Sequence, residues 1–300
     1  MRENIHLFGG DKDQITIFGV SAGSQSVSTH VLSPQSKGLF KRAIMESGAH
    51  LYNKNRPTIS KEEALLQAKQ LAKRLNCSDD KQWLECLRNV DANQLIVDEF
   101  QVLFPVEGTE FLPFGAQKAF QMNKFNEGLD LIAGITKDEG SSIANSLRDI
   151  FIKNYTMKDF DNFFKLIDNA FHDLSLKNIT DFYFKGKNMS DSNTIKYVIT
   201  DVFGDIMVKC PTYLFAKRYA ERSKTNVFFY ELTHSTRGPL FEMIAGITHG
   251  ADIEFVMGLI LLNPKTTAED KEFSKKVMKY WTDFAKYGFV FRIQLFLLIN

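Results

Sequence analysis

Ser21 stands in Gly19-Val20-Ser21-Ala22-Gly23, and a serine hydroxyl so framed is a group that attacks an acyl carbonyl once a base takes its proton. The five residues follow the strand-like run Gln14-Ile15-Thr16-Ile17-Phe18 and precede a helix-compatible stretch, so this G-x-S-x-G sits at a strand-turn-helix junction. A sharp turn there forces the serine into a strained backbone conformation and leaves no room for flanking side chains, a condition that Gly19 and Gly23 meet. Ser21 then projects at a helix N-terminus, with the Ala22 N–H available to an oxyanion. The same five-residue pattern also arises by chance in serine-containing loops, so the reading depends on partners.

Those partners are an acid and a histidine, in the chain order Ser, Asp/Glu, His. Leu129-Asp130-Leu131-Ile132-Ala133-Gly134 has the pattern of a buried strand, and it places Asp138 and Glu139 just past its carboxyl end. Spacing alone does not separate these adjacent acids. Gly246-Ile247-Thr248-His249-Gly250 brackets a histidine with glycines after a second strand candidate, residues 226–232. Taken singly, His249 reads as a hydrogen-bonded loop histidine and Glu139 as a turn acid or ion-pair partner; order and context together make them partners of Ser21. His6, His30, His50, His172 and His234 lack that setting and receive no function, and Asp252 and Glu254 are read as structural.

At these residues the chain resembles the type-B carboxylesterase and cholinesterase family of α/β-hydrolases. Phe8-Gly9-Gly10-Asp11, Leu32-Ser33-Pro34, Arg42-Ala43-Ile44, Ser47-Gly48, Asp138-Glu139-Gly140, Cys210-Pro211, the His249 segment and Tyr280-Trp281 all carry the likeness, from about residue 3 to about residue 287. The resemblance implies an α/β fold, a mostly parallel sheet flanked by helices with helical insertions. It implies Ser21 as nucleophile, Glu139 as acid and His249 as base, acting on a small carboxylic ester through an acyl-serine intermediate, with no cofactor and no metal. It also implies a small disulfide loop between Cys77 and Cys86, and a partner near the C-terminus of a longer chain for Cys210.

Two departures from the family pattern matter. Val20 stands where the family commonly has Glu, so a negative charge beside the reacting centre is gone; this argues against a cationic substrate and for a generalist or lipid-like ester. The family's glycine-rich oxyanion loop, of His-Gly-Gly-Gly type, does not occur ahead of Ser21, leaving Ala22 as the donor this stretch supplies. The expectation is a chain truncated at both ends, residues 1–288 being the C-terminal part of the hydrolase domain. Residues 289–300 form an apolar tail outside the family pattern, too short and too polar at Arg292 and Gln294 to span a membrane. Alternatives are a cholinesterase-like adhesion protein, disfavoured by the intact Ser21, Glu139 and His249, and an inactive fragment.

Composition fits a globular enzyme: 300 residues, 44% hydrophobic, 13% aromatic. A net charge of +1 supplies no basic stripe for nucleic acid. Met1-Arg2-Glu3-Asn4 has no apolar stretch behind it, so no signal peptide is visible. Cysteine usage and the sequons at Asn76, Asn154, Asn178 and Asn188 point to a secreted or extracellular parent, with reduced cytosolic thiols as the alternative.

The elements that must position the site are punctuated clearly. Ser60-Lys61-Glu62-Glu63 reads as a capping box, and Ala64, Leu65, Ala68, Leu71, Ala72 and Leu75 share the face that would pack beside the sheet. Residues 146–198 read as helical insertions of the kind that form lids, their phenylalanines, among them Phe160, Phe163 and Phe164, serving packing. Phe273, Val277, Trp281 and Phe284 mark a late one-sided helix.

Overall fold

The computed structural model describes residues 1–50, 59–77, 82–95, 105–141, 154–171, 174–234, 236, 246–290 and 296–298. The chain divides into two compact units, one of Met1–Lys54 with Ala116–Asn300 and one of Asn55–Gly115. Parts of two expected features, residues 146–153 of the insertions and 291–295, 299 and 300 of the tail, lie outside the described residues, as does His172.

Among the described residues a five-stranded sheet organises the first unit. Its strands β1 (Thr16–Val20), β2 (Arg42–Glu46), β3 (Asp130–Thr136), β4 (Val227–Leu232) and β5 (Phe296–Leu298) lie side by side in chain order. The first four are parallel, and β5 runs antiparallel to β4, with Phe228 opposite Leu298. The apolar tail therefore contributes a strand, which the local sequence did not announce. β1 lies at the other edge, where Phe18 is 52% exposed.

The helices α1 (Ala22–Leu32), α2 (Lys61–Arg74), α3 (Trp83–Arg88), α4 (Ala116–Gln121), α5 (Met157–Phe171), α6 (Leu176–Tyr183), α7 (Ser192–Gly204), α8 (Cys210–Ala220), α9 (Asp252–Val256) and α10 (Ala268–Tyr287) fill the connections. Every residue of β2 is buried, as a parallel strand covered on both faces requires. Neighbours on β4 show the two covers directly, because successive side chains point to opposite faces. Phe228 meets the ring of Phe284 from α10 at 6.2 Å, whereas Phe229 meets Tyr213 from α8 at 5.4 Å.

Sequence punctuation explains where α10 begins and ends. Thr267 and Asp270 close a capping box at its start, and Gly288 leaves the helix with a φ of 75°. Its Val277, Trp281 and Phe284 enter one core cluster with Ile44, Ile132 and Phe228, with Phe273 packed at the border. The insertion helices α5, α6 and α7 build a separate cluster around Phe160, Phe164, Phe184 and Val198, with Phe163 against it, so these phenylalanines do pack.

In the second unit, α2 starts as its signals indicate, the Ser60 hydroxyl accepting the Glu63 N–H at 3.1 Å. Along the expected face Ala72 is buried, Ala64, Ala68, Leu71 and Leu75 are half-buried, and Leu65 is 48% exposed. Cys77 and Cys86, with Cα atoms 5.5 Å apart, form the disulfide, while Cys210 is a free, exposed thiol.

Candidate active site

Ser21 sits where β1 turns into α1, and its backbone is strained, with φ 55° and ψ −118°. The strain is held from three directions. The Ser21 N–H donates to the Glu46 carbonyl at 2.9 Å, the Ser21 carbonyl accepts from Gln25 N–H at 2.9 Å, and a Cβ on Gly48 would come within 2.6 Å of that same carbonyl. Ser47, at the tip of the adjacent strand, shares the left-handed φ at 57°.

The two elbow glycines are not equivalent, which corrects the expectation that both flanks are crowded. A Cβ at Gly19 would lie 2.6 Å from the Gly23 carbonyl carbon, whereas one at Gly23 would meet nothing within 4 Å. The crowding is one-sided, the first turn of α1 lying against the end of β1. Ala22, the first residue of that helix, carries one of the N-terminal amides that a helix leaves outside its own ladder. That N–H suits an oxyanion.

The structure separates the two acids that spacing could not. Glu139, its side chain fully buried, lies 2.5 Å through Oε2 from His249 Nδ1, and its Oε1 accepts the Thr136 N–H at 2.7 Å. Asp138 turns instead onto backbone, its Oδ2 accepting the Ile247 N–H at 2.7 Å. A carboxylate accepts, so Nδ1 carries the proton and Nε2 is left as the basic nitrogen. Burial works to lower the His249 pKa; the hydrogen bond and charge of Glu139, joined by the charge of Asp252, outweigh it and hold the imidazole above its ordinary value.

Ser21, Glu139 and His249 follow the carboxyl ends of β1, β3 and β4, the end of a parallel sheet where ligands bind. Glu139 and His249 are brought together. Among the described residues no hydrogen bond joins Ser21 to His249, and such contacts in ligand-free enzymes commonly tighten only in the complex.

A buried acid network backs this pair, and most of it escaped the sequence reading. Asp252, 2% exposed at the start of α9, accepts the Tyr230 O–H at 2.5 Å, and Glu46 accepts Trp281 Nε1–H at 2.6 Å. Burial and then the Asp252 charge push the Glu46 pKa up to about 8, against the Trp281 hydrogen bond. Burial, with the nearby Asp252 and Glu46 charges, raises Tyr230 well above its usual range. The available signal for Glu46 was a carboxylate directly after the apolar run Ala43-Ile44-Met45. Asp252 is structural in that it packs and hydrogen-bonds, but it also contributes to the field at His249. His30 and His234, given no role, pair with Ser36 and Asp270 at 2.8 Å each.

Among the described residues no group of His, Cys, Asp and Glu has the arrangement of a metal centre, and no helix is long and apolar enough to cross a membrane.

Comparison with known proteins gives the family of the chain. The profile described as "Carboxylesterase family" matches residues 1–290. The chain is 32% identical over 305 residues to an acetylcholinesterase of Bungarus fasciatus, covering 96% of this chain and 50% of that protein. It is 33% identical over 308 residues to a cholinesterase of Mus musculus, with 96% and 50% covered, and 30% identical over 334 residues to an acetylcholinesterase of Danio rerio, with 96% and 52% covered. The chain thus spans about half the length of the curated relatives it matches.

Proposed function

The chain belongs to the carboxylesterase family of α/β-hydrolases, and on that premise we propose that the whole protein is a serine hydrolase of carboxylic esters in which Ser21, His249 and Glu139 act together. The observation that carries the proposal is the buried Glu139–His249 hydrogen bond at the end of the sheet where a strained serine opens a helix. Residues 1–288 supply this part of the catalytic domain.

His249 Nε2 takes the Ser21 proton as Oγ attacks the ester carbonyl, while Glu139 holds the tautomer and stabilises the imidazolium without itself taking the proton. The oxyanion of the tetrahedral intermediate lies toward the Ala22 N–H and the positive end of α1. The imidazolium returns its proton to the departing alcohol. Water, activated by the same nitrogen, then releases the acid from acyl-Ser21.

Val20 places no charge beside Ser21, which supports a neutral ester over a cationic one. Faster turnover of acetylthiocholine than of naphthyl acetate by the full-length protein overturns that preference. The Cys77–Cys86 disulfide and the exposed sequon residues Asn76, Asn154, Asn178 and Asn188 support a secreted glycoprotein.

Fluorophosphonate labelling tests the central reading. The wild-type protein takes up one label, and Ser21→Ala, with its melting curve preserved, takes up none and loses about 10,000-fold or more in kcat. A label that persists on Ser21→Ala assigns the nucleophile elsewhere.

A further inference from the structure

The loop that carries Glu139 is pressed into helix α7 by backbone alone. A Cβ on Gly140 would overlap the Thr200 carbonyl oxygen and come within 2.8 Å of the Gly204 nitrogen. Conversely, a Cβ on Gly204 would lie 2.6 Å from the Gly140 nitrogen and 3.4 Å from the Glu139 carbonyl carbon. Two glycines therefore let the residue after the acid touch the last turn of a helix without an intervening side chain.

Gly204 is also the last residue before a turn of π-helix, Asp205–Lys209, in which the Cys210 N–H reaches back to the Asp205 carbonyl. Pro211 accounts for it. Its missing N–H and its ring disrupt the ordinary bond to the carbonyl four residues back, and a widened turn accommodates both, with the Thr212 hydroxyl donating to the Val208 carbonyl at 2.6 Å. The turn is moored on its outer side, where the Tyr183 O–H of α6 donates to Asp205 Oδ2 at 2.6 Å and Lys209 bridges Asp201 and Asp205 at 3.4 Å each. Nothing in this assembly touches a reacting atom, yet it fixes the backbone from which Glu139 reaches His249.

We propose that Gly204, at the mouth of the π turn and moored through Asp205 to Tyr183, is a positioning residue that sets the reach of Glu139 to His249. The inference rests on the Ser21–His249–Glu139 reading and deepens it: the acid is placed by a glycine-to-glycine backbone contact rather than by its own side-chain partners alone. A methyl group at 204 pushes Gly140 away and draws Glu139 off the imidazole. Asp252, which also faces His249, is left in place. The substrate's own contacts are untouched, so the cost falls on kcat rather than on KM.

The test compares wild type, Gly204→Ala and Tyr183→Phe in the full-length protein, reading kcat, KM, the acid limb of the pH profile and the downfield NMR resonance of the His249 Nδ1 proton. Displacing a catalytic group by around 1 Å costs about 100-fold in rate. Gly204→Ala is expected to lose that much in kcat with KM little changed, to shift its acid limb to lower pH because His249 has lost the partner that holds its proton, and to lose the downfield resonance. Tyr183→Phe is expected to move the same readouts in the same direction by a smaller factor. A folded Gly204→Ala that keeps both its acid limb and its resonance overturns the positioning role, and if that variant does not fold, an unchanged Tyr183→Phe overturns it. A wild type without Ser21 labelling or without the resonance sinks the underlying reading instead, so the two failures are distinguishable.

Discussion

Asp138 and Ile247 are joined twice: the Asp138 carboxylate accepts the Ile247 N–H at 2.7 Å, and the Asp138 N–H donates to the Ile247 carbonyl at 3.0 Å. The loops bearing the acid and the histidine are thus stitched together through the residue before Glu139 and the residue two before His249, and the adjoining Asp138–Thr248 pair forms a parallel bridge. Asp138→Ala removes the side-chain stitch and is expected to lower kcat about 10- to 100-fold. Asp138→Asn keeps an acceptor oxygen and should retain most of the rate. Equal loss in both variants would show that charge, not the stitch, is what Asp138 contributes.

The pH profile has a definite sign. In the proposed mechanism His249 must be neutral to accept the Ser21 proton, and its pKa is held above 6.5, so the acid limb of kcat/KM is expected above that pH. Stability moves the opposite way. A histidine whose folded pKa is raised contributes fully below its unfolded value and loses that contribution as pH rises through the folded one. An acid limb below pH 6.5, measured on a neutral ester, contradicts the Glu139 and Asp252 influence.

Glu46 has its own pH signature. Its carboxyl ionises near 4.5 in the unfolded chain and near 8 in the folded protein, so between those values unfolding releases a proton and stability falls as pH rises. Glu46→Gln cannot ionise, and its amide oxygen still receives the Trp281 N–H. Calorimetry should give it the Tm of wild type at about pH 4 and a higher Tm at about pH 8. Equal Tm values at both ends mean that the folded carboxyl ionises as freely as the unfolded one.

Gly19 and Gly23 respond differently to the same change. Gly19→Ala forces a methyl into the Gly23 backbone and should cost about 1–3 kcal/mol or prevent folding, whereas Gly23→Ala has open space and should cost under about 1 kcal/mol. Denaturant melts of the two variants measure the difference, and similar losses would refute the one-sided crowding.

How much of this was readable beforehand follows from the range over which each feature is determined. The elbow was legible because strand, turn and helix signals lie within a few residues of Ser21, and the turn demands a particular backbone there. The strand ahead of Asp138 was legible for the same reason. Which of Asp138 and Glu139 meets His249 was legible through the family resemblance and not from spacing, since the choice depends on how a loop more than a hundred residues later folds back. The pairing of β5 with β4, the contact of Gly140 with Gly204 and the network from Glu46 to Trp281 all join distant residues. None leaves a local period or motif. On α2 the spacing marked the face but not its edge: Ala72 is buried while Leu65 is 48% exposed, because burial at each position depends on what surrounds the helix.

Ser21 and Ser47, both left-handed at the tips of neighbouring strands, leave the fold with a standing evolutionary tension. Glycine would adopt either conformation without the steric penalty, which is on the order of 1 kcal/mol or more per residue. Selection for thermal robustness alone would therefore drift both positions toward glycine. On the proposed reading of Ser21 as nucleophile, that drift would produce a sturdier and silent protein, and serine there would be kept against the thermodynamic grain for as long as hydrolysis is what is being selected.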